Sequence, residues 1–167
     1  MLNLRNGLAA LALVASGAPV LAFEISSASV SDGKWSNKYI GDKIAGCGGG
    51  NLSPALAWKD PPAGTKSFAL TLFDPDAPGG SGFWHWQAWN IPANISGFGE
   101  GKVPSGVVQG KGDIGRTGYL GPCPPPGSGV HHYTFTLYAL KVDKLALNPA
   151  TASGTSIRDA LNGKAIA

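Results

Sequence analysis

Ser67 to Phe73 reads SFALTLF, an apolar run of strand length, and it stops against Asp74-Pro-Asp-Ala-Pro-Gly-Gly80. A strand this apolar needs cover on both faces, so it predicts a central buried strand. The Asp74-Pro75 junction favours extended backbone at Asp74, and Pro78-Gly-Gly80 turns the chain. His85 to Ile91 resumes as a strand. Strict alternation places His85, Gln87, Trp89 and Ile91 on one face, with Trp86, Ala88 and Asn90 on the other. Two strands joined by a tight polar loop therefore carry Asp74, Asp76, Trp84 and His85 into one small region.

A second such concentration is Gly118-Tyr-Leu-Gly-Pro-Cys-Pro-Pro-Pro-Gly-Ser-Gly-Val-His-His-Tyr133, followed by the clearly alternating YTFTLYALK of Tyr133 to Lys141. Phe23 to Ser29 and the end of Asn51 to Trp58 add two shorter strands, and residues 30–50 read as loop. The many glycines between 93 and 118 predict a long surface excursion, a kind of segment that is often functional. Thr155 to Leu161 predicts one short helix, capped by Thr155 or Ser156 and stopped by Asn162-Gly163. With 25 glycines and 13 prolines among 167 residues, short strands and turns are favoured over a helical bundle. The length fits one domain, residues 23–167.

Residues 1–22 read as a secretory leader: Arg5 supplies a basic start, Leu8 to Ala15 a short apolar run, and Val20-Leu-Ala22 small residues for cleavage after Ala22. The apolar run is too short to span a bilayer stably. A periplasmic or secreted location follows, with a retained anchor as the other reading. Loss of Arg5 takes the balance from 13 minus 10 to 12 minus 10, a net +2, too small and too scattered for nucleic acid. Cys47 and Cys123, the two cysteines, predict a disulfide in an exported chain, two free thiols being the alternative. No zinc spacing is present, and neither a metal nor a cofactor is expected.

Three blocks together resemble the phosphatidylethanolamine-binding protein family, in particular its small bacterial Raf-kinase-inhibitor-like branch of the YbhB and YbcL type and its exported members. They are Asn51-Leu-Ser-Pro-Ala-Leu-Ala-Trp58; Asp74-Pro-Asp-Ala-Pro78 through His85-Trp86 to Asn90-Ile-Pro92; and Gly118 to Pro125 through His131-His-Tyr133 to Leu140. The resemblance implies a mainly β fold: a large antiparallel sheet, a smaller second sheet and few short helices. It implies a pocket for small anions, such as phosphate or a phospholipid head group like phosphoethanolamine. The family residues carry over onto Asp74, His85, Gly121, His131 and Tyr133, with Asp76 and Trp84 nearby. Family chains usually run on for a last strand, which is expected to be missing or cut short here.

In such a pocket the histidines and Tyr133 would donate to phosphate oxygens, and the Gly121 amide could approach closely. Asp74 would instead accept a proton from a histidine. Asp76 either shares the pocket or bonds backbone in its own turn, and His132 points away from His131. Arg116 is the one cation near the motifs and could reach inward. Phosphate should then bind more tightly at about pH 5.5 than at about pH 8, because free histidine titrates near about 6.5. Trp84, Trp86 and Trp89 are core residues or, Trp84 foremost, a lip beside the pocket.

A binding protein is the expectation, with an unknown protein partner and a kinase- or protease-inhibitor-like role implied only by the resemblance. Two alternatives stand beside it: a hydrolase using the Asp/His pocket, and a carbohydrate-binding module using exposed tryptophans. Against an enzyme, no Gly-x-Ser-x-Gly, His-Glu-x-x-His or phosphate loop occurs.

Overall fold

The computed structural model describes residues 22–30 and 33–167. The leader assigned to residues 1–22 falls almost wholly outside them. Among the described residues, seven strands form two antiparallel sheets. The larger has the order β6-β4-β3-β7, from Val108–Gln109, Phe83–Pro92, Ser67–Asp74 and Thr134–Leu140. The smaller has the order β1-β2-β5, from Glu24–Ser26, Leu56–Lys59 and Gly97–Phe98. The described residues also hold a 3₁₀ turn at Asn37–Tyr39 and a helix, α1, at Gly154–Leu161. This is the mainly β, two-sheet architecture that the resemblance implied.

The apolar SFALTLF run is the middle of the large sheet, with β4 on one side and β7 on the other. Both of its faces are covered, which is why it reads as continuously apolar. Phe68, Leu70 and Leu72 face the small sheet in a cluster with Trp86, Ala88, Ile91, Trp58 and Phe98. Ala69 faces the other way, with Trp89, Leu140 and the buried Ile157 and Leu161 of α1.

The strict alternation expected along β4 fails twice. Four residues from Ala88 to Ile91 oppose three from Leu70 to Phe68, and Asn90 takes a left-handed φ of 57°. This extra residue moves Ile91 onto the face of Trp86 and Ala88. A second one lies at His85, because Phe73 pairs with Trp84 while Leu72 pairs with Trp86. The bulge swings His85 off the Gln87 and Trp89 face, toward Phe83 and Tyr133.

The glycine-rich segment from 93 to 118 is not a free surface excursion. Phe98 is buried and extends the small sheet, and Val108–Gln109 pairs with β4 as the edge of the large one. The chain then stays on that edge: Gly110 N donates to Gln87 O and Asp113 N to Trp84 O. A Cβ at Gly112 would stand 2.8 Å from the Trp84 carbonyl. Its glycine permits this close backbone approach.

The helix is capped two or three residues earlier than the expected Thr155 or Ser156. Ser153 is the N-cap, and its hydroxyl and that of Ser156 form a reciprocal capping box. Gly154 follows because any side chain there would overlap the Trp84 ring, at 2.0 Å. After α1, residues 164–167 lie along the edge of β7 away from β3, Ile166 N donating to Ala139 O and Ala139 N to Ala167 O. No helix among the described residues is long and apolar enough to cross a membrane.

Candidate functional site

Asp74 is the last residue of β3 and is only 2% exposed. Its Oδ1 accepts the amide of Asp76, closing an Asx turn, and this leaves Oδ2 directed at Nδ1 of His131 at 2.7 Å. Their side chains are 3% and 1% exposed. The other His131 nitrogen, Nε2, lies 2.8 Å from the Ser128 hydroxyl. Both ring nitrogens of His131 are therefore engaged within the protein.

His85 is held differently. Its ring Nδ1 donates to the Leu120 carbonyl at 3.2 Å, and its own carbonyl accepts from Leu120 N at 3.3 Å. That reciprocal pair of bonds ties the bulge in β4 to the 118–122 loop and fixes the tautomer with Nε2 free of hydrogen. Nε2 has no partner among the described residues. Burial holds the His85 pKa below the ordinary histidine value, more than the Leu120 carbonyl and the Asp74 charge raise it.

A cleft of about 520 Å³ opens over these groups. Asp74, His85 and His131 line it with Phe83, Asp113 and Leu120, and Ala45, Cys123 and Pro125 form its outer wall. No Lys or Arg is among the lining residues. Asp113, missed in the sequence, has one carboxylate oxygen on Trp84 N at 2.8 Å. The outer wall is fastened by the Cys47–Cys123 disulfide, whose Cα atoms are 5.7 Å apart.

The remaining sequence candidates take other places. Gly121 is buried behind Leu120 of the wall and does not line the cleft; its amide donates to Asn51 Oδ1 at 2.8 Å and is not presented to an anion. Its lack of a side chain serves packing, since a Cβ there would sit 2.0 Å from the Tyr39 carbonyl. Asn51 completes this lock through Nδ2 on the Tyr119 carbonyl, a role its left-handed φ of 49° allows. Nothing in the sequence beyond its place in the first block pointed to it.

Tyr133 sets its ring edge against His85 at 5.1 Å and stacks on His131 at 6.3 Å. Its hydroxyl is buried without a partner, and burial, then the Asp74 carboxylate, push its pKa up to about 12. The ring thus orients the histidines, while the residue lines a neighbouring cleft with Trp35 and Phe135. Asp76 turns outward and accepts both the amide and Nδ1 of His132, each at 2.7 Å. Trp84 is on the opposite face of the sheet, against Phe73 at 4.5 Å. It forms no lip, because the His85 bulge reverses the side on which it emerges. Trp86 and Trp89 are fully buried. Arg116 is bound through Nη1 to both oxygens of Asp42, at 3.0 Å, and does not line the cleft. Among the described residues no group of three His, Cys, Asp or Glu stands in metal-binding geometry.

Comparison with known proteins agrees with this fold. A family profile described as phosphatidylethanolamine-binding protein matches residues 30–167. The UPF0098 protein YbcL of Escherichia coli K12 is 42% identical over 164 residues, covering 94% of this chain and 89% of its own. YbhB of the same organism is 49% identical over 118 residues, covering 67% of this chain and 73% of its own. The crystal structure of E. coli YbcL, titled a new member of the mammalian PEBP family, superposes with a TM-score of 0.81. That match is 42% identical and covers 87% of this chain and 92% of YbcL.

Proposed function

The chain belongs to the phosphatidylethanolamine-binding protein family, and from that premise we propose that it is an exported binding protein whose cleft takes the phosphate of a small phosphomonoester. Free phosphate and phosphoethanolamine are the ligands in view. One observation carries the reading: Nε2 of His85 is the unpartnered ring nitrogen in a cleft whose other histidine is occupied on both sides.

The chemistry follows from one shared proton. A phosphomonoester loses its second proton near about pH 6, so the monoanion keeps a P–OH that can donate to neutral Nε2. Equally, the dianion can accept from protonated Nε2. Either way the complex holds one proton more than the free dianion and neutral imidazole. With Asp74 and Asp113 beside the site and no lysine or arginine in its lining, the dianion has no other charge to offset its own. Affinity therefore falls as pH rises.

Calorimetric titration with phosphoethanolamine at about pH 5.5 and about pH 8 tests this, with tighter binding and proton uptake expected at the lower value. Equal affinities, or unchanged binding by His85→Asn, would remove His85 from the account. Export is supported by the disulfide and by the leader-like pattern of residues 1–22. N-terminal sequencing of protein released by osmotic shock tests it, with Phe23 expected as the first residue.

A further inference from the structure

Ser128, His131 and Asp74 stand in the order and at the distances of a serine hydrolase triad. Ser128 Oγ is 2.8 Å from His131 Nε2, and His131 Nδ1 is 2.7 Å from Asp74 Oδ2. We propose that this trio gives the chain a serine esterase activity toward small neutral carboxylic esters. The proposal goes beyond phosphate binding, which rests on His85. No Ser-containing motif announces it, because the three residues converge from two loops rather than from one elbow.

Each part meets the physical requirement of its role. The base and its orienting carboxylate must be dry and fixed, and their side chains are 1% and 3% exposed. Asp74 is aimed because its second oxygen is bound to the Asp76 amide. The nucleophile must be reachable, and Ser128 is half-buried on a turn closed by its own amide on Pro125 O, 3.1 Å. Gly127 and Gly129 flank it with φ of 82° and 92°, and a Cβ built on either meets nothing within 4 Å. Neither glycine amide has an acceptor among the described residues, so both are in-chain candidates to stabilise an oxyanion.

The substrate class follows from the cleft beside the trio, which Asp74, His131 and Pro125, but not Ser128, line together with Phe83, Ile114 and Leu120. Apolar walls suit a short acyl or aryl group. With Asp74 and Asp113 in that lining and no lysine or arginine, a neutral ester enters without repulsion, whereas an anion must share a proton with His85 to bind. Phosphoryl transfer, which relies on cations around the moving group, is disfavoured in the same lining.

Ser128 Oγ adds to the ester carbonyl carbon while its proton passes to His131 Nε2. The carbon–alkoxy bond then breaks, and the alcohol leaves with that proton, forming acyl-Ser128. Water attacks the acyl carbon, gives a proton to His131, and releases the carboxylic acid as Ser128 recovers its own. One competing contact limits the rate: the Ser128 hydroxyl has a single proton and a second acceptor, Pro125 O, at 2.7 Å. Only the fraction donating to His131 reacts.

The experiment combines p-nitrophenyl acetate hydrolysis with labelling of the full oxidised chain by a fluorophosphonate, followed by peptide mass mapping. The expected result is a phosphonyl adduct on Ser128 and a loss of hydrolysis in Ser128→Ala of about 100-fold or more. Ser128→Cys should exchange fluorophosphonate labelling for reaction with iodoacetamide at the same position. Hydrolysis at the original rate in Ser128→Ala, or an adduct on any other residue, would overturn the proposal and leave His131 as a structural partner of Asp74.

Discussion

Asp74–His131 and Asp76–His132 are the same carboxylate–imidazole hydrogen bond made twice, the aspartates two residues apart and the histidines adjacent. Each joins Nδ1 to Oδ2 at 2.7 Å. The first has side chains 3% and 1% exposed, the second 38% and 75%. Water is the difference. In the exposed pair water screens the carboxylate, which is held by hydrogen bonds: His132, by side chain and then amide, lowers the Asp76 pKa. In the buried pair each group has replaced its water with the other, so neither can be removed alone without stranding a polar atom. Adjacent His131 and His132 turn to opposite sides just before β7, and the Asx turn after Asp74 carries Asp76 to the outer one. One pair stitches the loops at the surface and the other builds the floor of the cleft.

The strongest way to break that comparison is Asp74→Ala, which leaves His131 buried without its acceptor. A loss of about 3–5 kcal/mol is expected by urea unfolding. A change no larger than that of Asp76→Ala would show that burial is not what separates the pairs.

Reduction of Cys47–Cys123 comes next, with a loss of about 2–4 kcal/mol for a bridge across a separation of 76 residues. Because Cys123 and His131 belong to one segment, reduction and Asp74→Ala should be less than additive. Strict additivity would mean that the bridge and the buried pair hold separate regions.

His85 sharpens the comparison as a buried histidine whose Nδ1 partner is a carbonyl rather than a carboxylate. Its folded pKa is depressed, so the unfolded chain takes up the proton first, near about pH 6.5. Its stabilising contribution is whole above that pH and is lost as pH falls toward the folded value. Unfolding free energy should therefore be smaller at about pH 5 than at about pH 7, and His85→Gln should flatten that part of the profile.

The smallest effect belongs to Asp76→Ala. The unfolding midpoint should barely move, and whatever shift occurs should disappear in about 1 M salt, while the Asp74→Ala effect persists. A salt-insensitive Asp76 effect would mean that its bond to the His132 amide, not the ion pair, matters.

Much of the frame could be read before folding. SFALTLF announced the central strand, and the Asp-Pro and Pro-Gly-Gly punctuation announced the turn that positions Asp74. The choice of Asp74 as a histidine's acceptor followed from charge alone, and the structure supplies His131 as that histidine. What stayed hidden was decided by partners distant in the chain. The two β4 bulges depend on register with β3, and they reverse the sides of His85 and Trp84. Val108–Gln109 is a strand only because β4 is beside it, although Gly110 and Gly112 carried the signal of close backbone approach. The Gly121 amide looked available until Asn51, 70 residues earlier, was found on it. Ser128 carried no signal of its own in the sequence, and in the structure its hydroxyl also bonds Pro125 O within its turn.

The amino-acid order by itself determined the β class, the turns and which residues carry reactive groups, because strand propensity, proline, glycine and charge act over a few neighbouring residues. Tertiary structure alone decided which carboxylate meets which histidine, which nitrogen stays unpaired and which serine lies beside a base. Those outcomes rest on hydrogen bonds whose strength falls away within an ångström, between segments whose separation no local rule controls.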